Sequence, residues 1–148
     1  MLGGTGMAHK IDELPVFSKA QEFSVAVTAI LARSKVRRDC DTYKQIVEAN
    51  ESILSNMDEG FEQGSDDGFA KYLYYSKGSI AEVMRRFRRA AAKGEVAKTD
   101  VDSLAALSEP LSKMLGGFIK YLKRSNFKDR GRFRAAQRLP EKEPEIQD

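Results

Sequence analysis

Residues 66–93 read DDGFAKYLYYSKGSIAEVMRRFRRAAAK, and the spacing of the apolar residues in this stretch decides the fold. Apolar or small residues recur at alternating steps of four and three, namely Phe69, Leu73, Ser76, Ile80, Val83, Phe87 and Ala90. This spacing follows the period of an α-helix and places the whole series on one face. The stretch therefore predicts an amphipathic helix with one buried face. Gly64-Ser65 is expected to end the preceding helix and cap this one, and Gly94 is expected to close it.

Three further segments show the same helical periodicity, and none shows the alternation of a strand. They cover about residues 15–35, 42–63 and 100–124. Asp41 or Thr42 is expected to cap the second of these segments, and Thr99 or Asp100 the third. Pro110 interrupts the last segment and is expected to kink or split that helix.

The joints between the four segments are short, at residues 36–41, 64–65 and 94–99. Short joints force successive helices to lie antiparallel. The sequence therefore predicts an all-α protein, an antiparallel up-down-up-down four-helix bundle with a basic C-terminal tail. We expect a flexible lead-in at residues 1–12, the bundle at residues 13–124, and a tail at residues 125–148. The tail is basic first and acidic later, and it is expected to be partly disordered.

Length and composition limit the number of domains and the cellular location expected for the protein. A chain of 148 residues suits a single domain. No stretch approaches the roughly 18 apolar residues of a membrane helix, so no membrane partner is expected. Residues 1–10 lack the long apolar run of a secretory signal. Cys40 is the only cysteine, which excludes an internal disulfide and favours a reducing, cytoplasmic location.

Residues able to carry out catalysis are scarce in this chain. His9 is the only histidine, and it lies in the expected lead-in. Cys40 has no histidine near it in the sequence. No phosphate-binding glycine loop, zinc spacing or nucleophile elbow occurs. We therefore expect a protein that is not an enzyme and that holds neither a cofactor nor a metal.

Two pairs of residues predict close contacts between helices. Asn56 and Glu59 share one helix face, and they are expected to form hydrogen bonds to a neighbouring helix or subunit. Gly78 and Gly116 occupy helical positions, where glycine is less favourable than alanine by about 1 kcal/mol. They are expected to permit a close approach of the third and fourth helices, or of another subunit.

The charge is distributed unevenly along the chain. Residues 1–70 carry 7 Lys/Arg against 12 Asp/Glu, a net charge of −5. Residues 71–138 carry 17 Lys/Arg against 6 Asp/Glu, a net charge of +11. Such a basic block favours a polyanionic partner. It is equally compatible with basic helices that pack near acidic ones, within one chain or between subunits.

Basic residues are the strongest indication of a function. One group crowds the end of the third helix: Arg85, Arg86, Arg88, Arg89 and Lys93. A second group lies on the fourth helix and in the tail: Lys120, Lys123, Arg124, Lys128, Arg130, Arg132 and Arg134. Phe127 and Phe133 stand among the tail arginines, where they could stack on unpaired bases. Because the helices run antiparallel, the groups on the third and fourth helices are expected at opposite ends of the bundle.

Several stretches resemble the four-helix-bundle family whose founding members are encoded in intervening sequences of bacterial 23S ribosomal RNA genes. The similar stretches are LPVFSKA at 14–20, SNMDEGF at 55–61, FAKYL at 69–73, GSIAEV at 78–83 and MLGGFIKYL at 114–122. The resemblance covers about residues 12–124. It implies a ring-like pentamer. Relatives in this family include the accessory variability protein of diversity-generating retroelements, a basic pentamer that binds nucleic acid and a reverse transcriptase.

Two functions are compatible with these features. The first is a nucleic-acid-binding accessory protein, with RNA foremost, which acts as a homo-oligomer and has a reverse transcriptase as one candidate partner. The alternative is a protein-interaction scaffold whose charges serve subunit assembly. Binding of RNA that weakens with salt distinguishes the two functions, because phosphate contacts release counterions.

Overall fold

The computed structural model of the protein describes residues 10–129, and the side chains of residues 10–124. Within that range it contains four long helices and no strand. They are α1 (Pro15–Arg33), α2 (Cys40–Glu62), α3 (Asp66–Ala92) and α4 (Lys98–Asp129). The prediction of an all-helical, up-down-up-down bundle is confirmed.

The helix α3 is the centre of the bundle, because it packs extensively along both α2 and α4. The helix α1 contacts the same two helices and closes the core from the other side. The core includes four fully or almost fully buried phenylalanines, Phe23, Phe69, Phe87 and Phe118. The rings of Phe69 and Phe118 meet edge to face with centroids 5.7 Å apart, which joins α3 to α4. The helical stripes read from the sequence therefore form one shared interior.

The helix ends show where local signals were read correctly and where they were not. Ser65 caps α3 as expected, since its Oγ accepts the backbone N–H of Gly68 at 3.0 Å. Gly64 and Gly94 adopt φ values of 80° and 77°, which a side chain would disfavour. The expected cap of α2 was wrong. Asp39 takes that role, because its carboxylate accepts the backbone N–H of Thr42 at 3.3 Å.

The helix α4 differs from its expected course in two ways. It begins at Lys98, so that the expected caps Thr99 and Asp100 lie inside its first turn, and it continues to Asp129. It also runs through Pro110 without being split. Proline removes the hydrogen bond to the carbonyl of Ala106, and both residues are exposed. Water can satisfy that carbonyl, so the helix tolerates the missing bond.

The close contacts between helices lie elsewhere than expected. Nothing lies within 4 Å of a Cβ built on Gly78, and one built on Gly116 meets only the Lys77 ammonium at 3.6 Å. At Gly60 the same Cβ would lie 2.7 Å from the Cβ of Tyr72. Gly60 therefore sets the close approach of α2 and α3.

Polar ties between the helices also involve other residues than expected. The amide of Asn56 donates to a carbonyl of its own helix, that of Ser52, at 2.8 Å. The buried Ser76 hydroxyl donates to the Ile53 carbonyl at 2.7 Å and joins α3 to α2. The buried Asn50 donates to the Ser24 carbonyl at 3.2 Å and joins α2 to α1. These two bonds supply the ties that were expected at Asn56 and Glu59.

Candidate nucleic-acid interface

Three arginines form one exposed face at the end of α3, called the arginine face below: Arg85, Arg88 and Arg89. The inward side of the same turns is taken by Val83, Phe87 and Ala90, all buried. Since these apolar residues anchor the helix, the three arginines must project outward. Among the described side chains, those of residues 10–124, none of the three arginines forms an ion pair or a hydrogen bond. No carboxylate among the described side chains therefore neutralises their guanidinium groups.

Arg86 belongs to the predicted group but is engaged in the structure. Its Nε donates to Glu82 at 2.9 Å, one turn earlier on α3. Its Nη1 donates to the Gln45 Oε1 on α2 at 2.6 Å. With its side chain only 24% exposed, Arg86 lies on the flank of α3 and joins that helix to α2.

Lys93 is likewise held by neighbouring residues. Its Nζ lies 2.8 Å from the Asp39 carboxylate and 3.5 Å from that of Glu95. The hydrogen bond from Lys93 holds the pKa of the Asp39 carboxyl well below its usual range, and Thr42 adds to the effect. The same bond raises the pKa of Lys93. This ion pair ties the end of α3 to the start of α2.

A cleft lies between these two helices beside the arginine face. It has a volume of about 330 Å³ and is lined by Thr42, Gln45, Arg86, Arg89, Ala92 and Lys93. Arg86 and Lys93 are paired with carboxylates, as described above. Of the three cations that line the cleft, Arg89 is therefore the one that forms no ion pair with a described carboxylate.

The predicted basic residues of α4 lie away from the arginine face. Lys120, Lys123 and Arg124 are exposed near the far end of α4. Because α3 and α4 are antiparallel, this end of α4 lies beside the start of α3, opposite Arg85–Lys93. The side chain of Lys128 lies outside the described side chains. The remaining predicted tail residues lie outside the described residues: Arg130, Arg132 and Arg134.

The fold brings a further basic segment to the same end as the arginine face. This segment, called the basic turn below, covers residues 33–38 and carries Arg33, Lys35, Arg37 and Arg38. Cations that follow the last turn of α1 interact favourably with the negative end of its helix dipole. The presence of four cations within six residues was the feature of the sequence that could have marked this segment as a site. What the sequence did not indicate is that the basic turn and the end of α3 are neighbours.

Other kinds of site find little support in the described residues. No group of His, Cys, Asp and Glu within residues 10–129 is arranged to hold a metal ion. None of the helices in that range is both long and apolar enough to span a bilayer. Cys40 is exposed at the start of α2, and His9 lies outside the described residues.

The fold and the exposed arginines thus define a four-helix-bundle protein with a cluster of exposed cations at the end of α3. A comparison with known families assigns it further. The family model described as 23S rRNA-intervening sequence protein matches residues 12–117. That range covers more than half of the chain and includes α1, α2, α3 and much of α4, so the chain belongs to this family. The family resemblance read from the sequence is confirmed. The family name links its members to 23S rRNA and describes no enzyme. No curated protein matches the chain.

Proposed function

We propose that this chain is a non-enzymatic accessory protein of the cytoplasm that binds nucleic acid, RNA foremost, through its phosphates. The observation that carries the proposal is the arginine face. Three exposed guanidinium groups stand within about one helical turn, and in the described part of the chain no carboxylate neutralises them. A guanidinium group matches the geometry of a phosphate and can donate two parallel hydrogen bonds to it.

The proposal includes a homo-oligomer, with a pentamer as the expected form. The family resemblance supports this assembly, and it adds a reverse transcriptase as a candidate partner. Exposed apolar side chains are also consistent with subunit contacts, since Val25 is 69% and Tyr74 is 66% exposed. An oligomer would repeat the arginine face around its axis and unite charges that lie apart on one subunit.

Salt-dependent binding of RNA tests the proposal. We expect a fluorescein-labelled, single-stranded oligouridylate to bind with an affinity that falls as salt rises. Three phosphate contacts correspond to a slope of about −2 in log K against log salt, so a fourfold rise in salt weakens binding roughly twentyfold. The variant Arg85→Ala/Arg88→Ala/Arg89→Ala is expected to lose this part of the slope, because the counterions are no longer released.

A matched variant controls for the change in net charge. Lys19→Ala/Lys71→Ala/Lys113→Ala removes the same number of positive charges from other parts of the bundle. It is expected to keep a slope close to that of the wild type. Circular dichroism of both variants establishes that the helices are intact. An absence of RNA binding at low salt, or an equal loss in the two variants, would contradict the proposal.

The alternative function is a scaffold whose charges serve subunit assembly. The exposed face of α2 favours it, because Glu48, Glu51 and Glu59 form no ion pair within the described residues. These carboxylates could neutralise the arginine face of a neighbouring subunit. In that case the arginine variant dissociates the oligomer, as measured by light scattering, and the wild type binds no RNA. An oligomer that persists in the arginine variant while RNA binding is lost favours the RNA-binding function instead.

A further inference from the structure

The basic turn between α1 and α2 is anchored by one buried side chain. Residues Lys35–Arg38 form a single turn of 3₁₀ helix, and Val36 within it is fully buried in the core. Lys35, Arg37 and Arg38 stand on either side of Val36, and all three are exposed. The turn therefore presents three cations at the surface on a backbone fixed to the core.

These cations line a second cleft, at the end of α1. The cleft has a volume of about 460 Å³ and is lined by Ala32, Arg33, Ser34, Lys35, Arg37 and Arg38. No carboxylate is among these lining residues. Of the four lining cations, Arg33 is the one that forms an ion pair within the described residues, with the Asp100 carboxylate at 2.9 Å. The lining thus carries four cations, and the one carboxylate paired with them, that of Asp100, lies outside the lining. The cleft therefore has a positive potential.

One hydrogen bond makes the cleft compatible with an anion. The end of α1 presents carbonyl groups, whose negative dipole would repel a phosphate. Arg37 donates from Nη1 to one of them, the Ala32 carbonyl, at 3.2 Å. A guanidinium group has five N–H donors, so this bond leaves others for a phosphate.

The basic turn and the arginine face are joined by the Asp39–Lys93 ion pair. Asp39 follows Arg38 directly, and Lys93 lies one helical turn after Arg89. The distance of 2.8 Å between the Asp39 carboxylate and the Lys93 Nζ fixes the two segments side by side. Both therefore belong to one end of the bundle.

We infer that the cleft of the basic turn binds backbone phosphates of the same RNA strand that contacts the arginine face. This inference rests on the function proposed above and extends its binding surface from α3 to the junction of α1 and α2. The ligand group is a phosphodiester oxyanion, which the open guanidinium and ammonium groups recognise by charge and by N–H donation. A strand that crosses this end of the bundle meets both sets of cations.

The variant Lys35→Ala/Arg37→Ala/Arg38→Ala tests the inference on labelled oligouridylate. Three lost contacts to single-stranded RNA make the slope of log K against log salt shallower by about 2, and they weaken binding by up to roughly 100-fold at about 0.1 M salt. A second variant, Lys35→Gln/Arg38→Gln, keeps the hydrogen bond of Arg37 to α1. It is expected to make the slope shallower by about 1.4 without changing the circular dichroism spectrum.

The comparison of five proteins, namely the wild type, the arginine-face variant, the two basic-turn variants and the lysine control, separates this inference from the proposed function. The control Lys19→Ala/Lys71→Ala/Lys113→Ala keeps the wild-type slope in either case. If both variants of the basic turn keep the wild-type slope while the arginine-face variant loses it, the inference is overturned and the proposed function stands. If the wild type shows no salt-dependent binding, the proposed function fails as well.

Discussion

One substitution made at two positions tests how α2 and α3 pack. Gly60 lies in the last turn of α2, and Gly78 lies in the middle of α3. Alanine is a better helix former than glycine by about 1 kcal/mol, with a smaller gain near a helix end. Helix propensity alone therefore predicts that Gly60→Ala and Gly78→Ala both stabilise the protein. The tertiary structure predicts opposite signs.

The magnitudes follow from the space at each position. A Cβ on Gly78 meets nothing within 4 Å, so we expect Gly78→Ala to raise the free energy of unfolding by about 1 kcal/mol. A Cβ on Gly60 would lie 2.7 Å from the Tyr72 Cβ and 3.3 Å from the Phe69 carbonyl oxygen. Neither atom is the far end of a flexible side chain, and overpacking of this kind costs about 1–3 kcal/mol. The net effect of Gly60→Ala is a loss of about 1 kcal/mol, which separates the two variants by about 2 kcal/mol.

Equilibrium unfolding in urea, followed by far-ultraviolet circular dichroism, measures both effects. The midpoint is expected to rise for Gly78→Ala and fall for Gly60→Ala at an unchanged m-value. Titrations at several protein concentrations control for assembly. A Gly60→Ala variant as stable as Gly78→Ala would refute the close approach of α2 and α3. A Gly78→Ala variant less stable than the wild type would mean that another surface packs on Gly78.

Two further predictions concern the contacts between α2 and α3. The pKa of the Asp39 carboxyl lies below its ordinary value of 3.8 in the folded protein, so its contribution to stability is present above that pH and is lost as the pH falls. Asp39→Asn should therefore lower the melting temperature at neutral pH, with the difference from the wild type shrinking in acid; a constant difference would contradict this. Ser76→Ala removes the bond to the Ile53 carbonyl and should lower the free energy of unfolding by about 1 kcal/mol in urea. A variant with wild-type stability would show that this bond contributes nothing.

The helices could be predicted because their signals are local. The periodicity from Phe69 to Ala90 reflects which side of one helix avoids water, and that property is written in consecutive residues. The start of α3 followed in the same way from Gly64-Ser65. The error at the start of α2 arose because several neighbouring residues offered the same chemistry. Asp39, Asp41 and Thr42 can all cap a helix, and only the backbone course of the turn selected Asp39.

The exposed, unpaired cations could be predicted only in part from the sequence. Spacing alone places Arg85, Arg88 and Arg89 on one helix face, because residues three and four apart are neighbours on any α-helix. The tertiary structure decided which cations remain open. The partner of Arg86 on α2 lies 41 residues away, and the Asp39 partner of Lys93 lies 54 residues away. Contacts over such separations exist only after the helices have packed. The contact between the basic turn and the end of α3 could therefore be recognised only from the tertiary structure.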